Sequence, residues 1–203
     1  PHVIYATQVY IPGAAPAITQ GPHSTHFDNG AELLALCEGN NLSIGAVMQR
    51  REKILRPEAD SEKEMTRVLN VMRQEVHDTI EHPRASIGGL LFGQAQATAN
   101  TSPAIIDALM GSVQTRAVAF AKAVLERSAT MGIIVAAPTA GASGVVPGSI
   151  LAVAEHIHAT DNQILLALWN AAALGAILST NASVSGAEGG CQAEIGSAAA
   201  MSA

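Results

Sequence analysis

Cys191 stands in the stretch NASVSGAEGGCQAEIGSAAAM, preceded by two glycines and flanked at three positions on either side by Glu188 and Glu194. A thiolate serves as nucleophile or metal ligand, and the amino-terminal end of a helix favours it. If a helix begins at Gly190 or Cys191, the sulfur lies at that positive end. The two carboxylates act in the opposite sense, raising a thiol pKa unless a cation lies between them. That conflict is resolved more simply by a metal-bound sulfur than by a free nucleophile. The plainer alternative is a thiol packed as a small hydrophobe, with Glu188 as an acid at a helix start.

A second stretch, IIVAAPTAGASGVVPGSI at 133–150, could gather polar groups at one spot. Pro138 restricts Ala137 to extended conformations, while Gly141, Gly144 and Gly148 permit positive φ, so the loop is predicted to turn repeatedly and present Thr139, Ser143 and bare N–H groups together. Such a loop at a helix start can hold an anion, a substrate carboxylate being the best guest. It can equally be a tight connection. There is no glycine-rich loop ending in Gly-Lys-Ser/Thr and no strand feeding a GxGxxG, so nucleotide binding has no support. His156 and His158 are one residue apart and face different ways on a helix, which suits the surface and not chelation. His77 and His82 flank the end of a charged helix, His23 and His26 fall in the first thirty residues, and Cys37 beside Leu33, Leu34 and Leu36 reads as core.

These groups need elements to position them. Residues 1–30 are punctuated by Pro and Gly and read as an irregular leader or arm, with one β-prone run at 3–5. Residues 31–38 have helical spacing ending at Gly39, and Ser43 caps a second helix through Lys53, giving a helical hairpin. From Asp60 to Glu81 a charged helix carries one apolar stripe of Met65, Val68, Leu69, Met72 and Val76. A glycine-containing connection leads to Ser102-Pro103, a helix start, and a short helix stopped by Gly111. The next helix runs from Ser112 to near Gly132, with Lys122 and Glu126 placed as an i,i+4 pair. Later helices are predicted over 150–158, from an Asp161 cap through Ser179, and from Gly190 or Cys191 to the last residue. The apolar run at 164–178 is interrupted by Asn170 and shorter than the ~20 residues of a membrane crossing, so it reads as a buried core helix.

The chain of 203 residues has a net charge of -6, no basic cluster and two distant cysteines. This excludes a nucleic-acid footprint and a disulfide framework and suits a reducing cytoplasm. The core is rich in alanine and poor in aromatics, which favours closely packed helices. The fold class is therefore all-α: a mainly helical domain over residues 31–203 with glycine-rich loops and little or no sheet.

Taken jointly, 131–151 (MGIIVAAPTAGASGVVPGSIL) and 181–203 (NASVSGAEGGCQAEIGSAAAMSA) resemble the two signature regions of the alpha chain or alpha domain of bacterial iron-sulfur L-serine dehydratase. LSIGAVMQRRE at 42–52 is similar to an early helix of that family, and IGGLLFGQA at 87–95 matches a glycine-rich element in which Phe92 and Gln94 replace a glycine and an aspartate. The resemblance covers roughly residues 31–203. It implies a helical catalytic domain, an oxygen-sensitive 4Fe-4S cluster and conversion of L-serine to pyruvate and ammonia. Three cysteines hold the cluster in the family and leave one iron open; Cys191 matches the first. A Lewis-acidic iron suits the reaction because hydroxide is a poor leaving group. By the same resemblance Thr139, Gly141, Ser143 and Gly144 hold the substrate carboxylate, and Asn181, Ser183 and Ser185, with Glu188, line the cluster side.

The family's other cluster cysteines lie further toward the carboxyl end, whereas this chain ends twelve residues after Cys191. The expectation is a domain truncated there and inactive as it stands, partnered by a beta domain or beta chain, compatible with a homo-oligomer, and acting apart from membranes and nucleic acid. The general base is unassigned and is open to the beta domain. Two other readings stand beside this one: a pyridoxal-phosphate lyase using Lys53, Lys63 or Lys122, and a helical interaction module without cofactor.

Overall fold

A computed structural model describes residues 26–203, so the leader reading lies, through residue 25, outside the described residues. The regular structure is helical throughout, with no strand among the described residues, in agreement with an all-α fold. Helix α1 (Gly30–Asn40) starts where the Asn29 side chain accepts the Glu32 N–H, and closes on Asn41 in the left-handed conformation at φ 52. Helix α2 (Ile44–Leu55) is capped by Ser43, and α3 (Ser61–Glu81) by Asp60, both as the spacing predicts. Then follow α4 (Gln94–Ala99), α5 (Pro103–Leu109) with Pro at its start, α6 (Ser112–Ala129), α7 (Val145–His156), α8 (Asp161–Asn181), α9 (Gly186–Gly189) and α10 (Cys191–Ser202).

Four local expectations are corrected. Helix α7 begins at Val145 and not at Ile150: Pro147 sits in the first turn, where no N–H is required, and Gly148 donates the first helical bond to Gly144 at 3.0 Å. The cap of α8 is Thr160, in a reciprocal box with Gln163, while Asp161 pairs with Arg73 at 2.6 Å. Helix α4 occupies what reads as connection, because its short start is capped from outside by Glu126. Glu126 therefore does not face Lys122, which donates to Thr98 at 3.0 Å.

The core is built by Val47 and Met48 of α2, Met65, Leu69, Met72 and Val76 of α3, Phe120 and Val124 of α6, Leu151 of α7, and Leu168, Trp169 and an alanine face of α8. Helix α8 is 21 residues long, enough to cross a membrane by length and composition, yet Ile164, Leu168, Trp169 and Ala171 to Ala173 are buried within the bundle. It is a core helix because of that packing and not because it is short. Phe27, inside the stretch assigned to the leader, is 1% exposed and carries the Arg51 guanidinium 4.5 Å above its ring. Arg51 and Glu52 are both buried, and Glu52 accepts from Arg56 at 3.0 Å. The residues of the MQRRE segment thus knit α2 to the core. Cys37 is partly buried against the core as expected; Leu34 points outward.

Candidate functional site

Helix α10 packs on both α7 and α8, which carries its first turn to the loop that precedes α7. Between α9 and α10 the chain turns sharply at Gly190, whose φ of 77 is a region L side chains rarely adopt. Cys191 is consequently the first residue of α10 and is exposed, at a helix start that no side chain caps, the Gly190 and Ala193 N–H groups bonding to backbone carbonyls. One turn later, Glu194 Oε1 accepts the hydroxyl hydrogen of Thr139 at 2.7 Å. The two stretches that sequence alone singles out, 37 residues apart between Gly144 and Asn181, therefore meet in space through Thr139 and Glu194.

The loop itself is shaped differently from the expectation. Gly141, Gly144 and Gly148 do not adopt positive φ. Gly144 and Gly148 are required by close approach to helix backbone, a Cβ at Gly148 standing 2.9 Å from the Ala117 carbonyl oxygen, whereas a Cβ at Gly141 would meet Glu194 Oε2 at 2.8 Å, the end of a side chain that can turn aside. Ser143 is buried and donates its hydroxyl to Ala140 at 2.8 Å, holding the loop's turn. Upstream, the irregular segment 133–137 is fastened to α3 by Glu75, which accepts the Val135 N–H at 3.1 Å. Burial pushes the Glu75 carboxyl up to about 8, against the opposing influence of the Val135 N–H and Arg127.

On the other side, Ser183 donates to Glu188 at 2.7 Å and accepts from the Ser185 N–H at 3.2 Å, while Ser185 caps α9 through the Ala187 N–H. Asn181 donates to the carbonyl oxygens of Ile177 at 2.9 Å and Asp28 at 2.5 Å, tying the end of α8 to the segment before α1. Glu194 thus joins the Thr139–Gly141 segment and Gly186 to the first turn of α10, which Cys191 opens, whereas Ser183 and Ser185 hold the residues around α9, Ser143 and Gly144 support the loop, and Asn181 is committed to backbone. His156 and His158 are exposed, away from any metal-ligating cluster among the described residues.

The model of the serine dehydratase alpha chain matches residues 39–203, most of the sequence. The chain belongs to the serine dehydratase alpha-chain family. It is 38% identical over 187 residues to the probable L-serine dehydratase alpha chain of Bacillus subtilis (strain 168), with 87% of this chain and 59% of that protein covered. It is 34% identical over 186 residues to L-serine dehydratase TdcG of Escherichia coli (strain K12), covering 87% and 40%, and 30% identical over 182 residues to the L-serine dehydratase alpha chain of Peptoniphilus asaccharolyticus, covering 87% and 61%. The chain therefore spans about two to three fifths of the length of these relatives.

For a member of the serine dehydratase alpha-chain family, the donor set can be tested against a cluster. No group of three or more His, Cys, Asp or Glu side chains among the described residues could hold a metal, and Cys37 lies apart on α1. One thiolate does not hold a 4Fe-4S cluster, so these residues fit as one leg of such a site. Sequence reasoning missed Glu75 and Glu126, and a signal for both exists. Glu75 is three residues beyond Met72 on the buried stripe of α3, and Glu126 is three beyond Ala123 on that of α6. A carboxylate in register with an apolar stripe marks a fastening point.

Proposed function

We propose that the chain is the alpha portion of an iron-sulfur L-serine dehydratase, eliminating water from L-serine to give pyruvate and ammonia together with a beta domain or chain. The observation that supports this most is the Thr139–Glu194 bond of 2.7 Å, which joins the glycine loop to the first turn of the helix that Cys191 begins. In this reading Cys191 is one ligand of a 4Fe-4S cluster whose other thiolates come from outside the described residues. When bound, the cluster supplies a Lewis acid toward the leaving hydroxyl. The backbone of Thr139, Gly141 and Gly144 frames the substrate carboxylate, and Ser143 keeps that frame rigid. Asn181, Ser183 and Ser185 shape the face on which Cys191 lies, with the Glu188 carboxylate bound by Ser183.

A pyridoxal-phosphate lyase gains nothing from the geometry: Lys53 is exposed and paired with Glu62 at 2.6 Å, Lys63 is exposed, and Lys122 donates to Thr98. The test is anaerobic reconstitution of the full-length protein with iron and sulfide. A brown protein that forms pyruvate from L-serine, and whose Cys191→Ser variant loses iron while keeping its helicity, supports the proposal. Bleaching of a yellow protein by borohydride would establish an internal aldimine instead, and a colourless protein without turnover would favour the interaction module.

A further inference from the structure

Two segments, 139–141 and the start of α9 at Gly186, close on the Glu194 carboxylate. Thr139 donates to Oε1 at 2.7 Å, and a Cβ at Gly141 or at Gly186 would stand 2.8 and 2.7 Å from Oε2. Each segment thus meets the carboxylate with a glycine, and a larger residue at either position would require the Glu194 side chain to move. Glu194 is three residues after Cys191, so both lie on the same side of the first turn of α10. We propose that Glu194 is a positioning residue that clamps the Thr139–Gly141 segment and Gly186 to α10, and so sets where the Cys191 sulfur stands relative to the glycine loop. The inference rests on the reading of Cys191 as a cluster ligand.

The physical basis is the strength of an O–H···O⁻ bond to an ionised acceptor, together with the favourable placement of a carboxylate in a first helical turn. The bodies of α7 and α10 pack on each other, and Glu194 adds a direct bond between the loop and the helix start. Without that bond the segment bearing Cys191 is free to open locally.

The experiment uses the full-length protein in its cluster-free form. Glu194→Ala is expected to raise amide exchange in residues 139–144 and the rate of Cys191 alkylation by iodoacetamide, each about tenfold, as loss of one charge-assisted bond implies. Glu194→Gln retains an acceptor for Thr139 and should restore most of the wild-type behaviour, including the KM for L-serine after reconstitution. Thr139→Val removes the donor while keeping the shape, and should add little once Glu194 is gone. If Glu194→Ala leaves exchange and alkylation unchanged while Cys191→Ser still loses iron, the clamp is refuted and the cluster reading stands. If Cys191→Ser keeps its full iron complement, the cluster reading falls and the clamp's stated purpose with it.

Discussion

A Cβ atom at Gly144 would stand 2.6 Å from the carbonyl oxygen of Ala121, so α7 approaches α6 at a distance that only glycine permits. The obstructing atoms belong to helix backbone and cannot rotate aside. Gly144→Ala is therefore expected to destabilise the fold by about 1–3 kcal/mol in urea unfolding. Gly196, inside α10 with nothing within 4 Å of its missing Cβ, is the control. Its replacement by alanine is expected to stabilise by roughly 0.5–1 kcal/mol, since helix formation then costs less backbone entropy.

Glu75 makes stability depend on pH in a definite direction. Its carboxyl is raised to about 8 in the folded chain, from an ordinary value near 4.5, with burial as the main cause. Between those values the folded chain holds a proton that the unfolded chain has released, so stability falls as pH rises through the window and levels off above it. Glu75→Gln removes this slope. Denaturation at pH 5 and pH 8 should show the variant gaining on the wild type with rising pH, by up to about 1.4 kcal/mol per unit. Parallel profiles would contradict the assignment.

Glu126 accepts the Gln94 N–H at 2.6 Å and the Ala95 N–H at 3.1 Å, capping α4 from across the bundle. Glu126→Ala leaves both donors without that acceptor and is expected to cost roughly 1.5–3 kcal/mol. Hydrogen exchange should show protection lost first in residues 94–99, with Glu126→Gln affected less because it keeps one acceptor.

Phe27 is part of the packed core. Its burial at 1% exposure predicts a loss of about 3–5 kcal/mol for Phe27→Ala, whereas Leu34→Ala, at a residue 54% exposed, should be close to neutral. Thermal unfolding of the two variants separates them.

Particular residues show why some of this was legible in the chain and some was not. The stripe of α3 and the caps Ser43 and Asp60 are local signals, because helical period and side-chain capping act over three or four residues. Cys191 at a helix start was legible for the same reason, through Gly190 before it. Pro147 and Gly148 misled because the same residues serve a loop or a first helical turn, and only the Gly148–Gly144 bond decides. Helix α4 was hidden because its cap, Glu126, is 32 residues away from Gln94.

By itself the sequence determined an alanine-rich helical chain with a thiol at a helix start and a polar, glycine-bearing loop, since each of these depends on neighbours a few positions apart. The tertiary structure decided that Thr139 meets Glu194 across 55 residues and that Gly144 and Gly148 are small for the sake of the α6 backbone against them. Contacts of that kind depend on how whole helices are seated, a property of the packed core that no local spacing encodes.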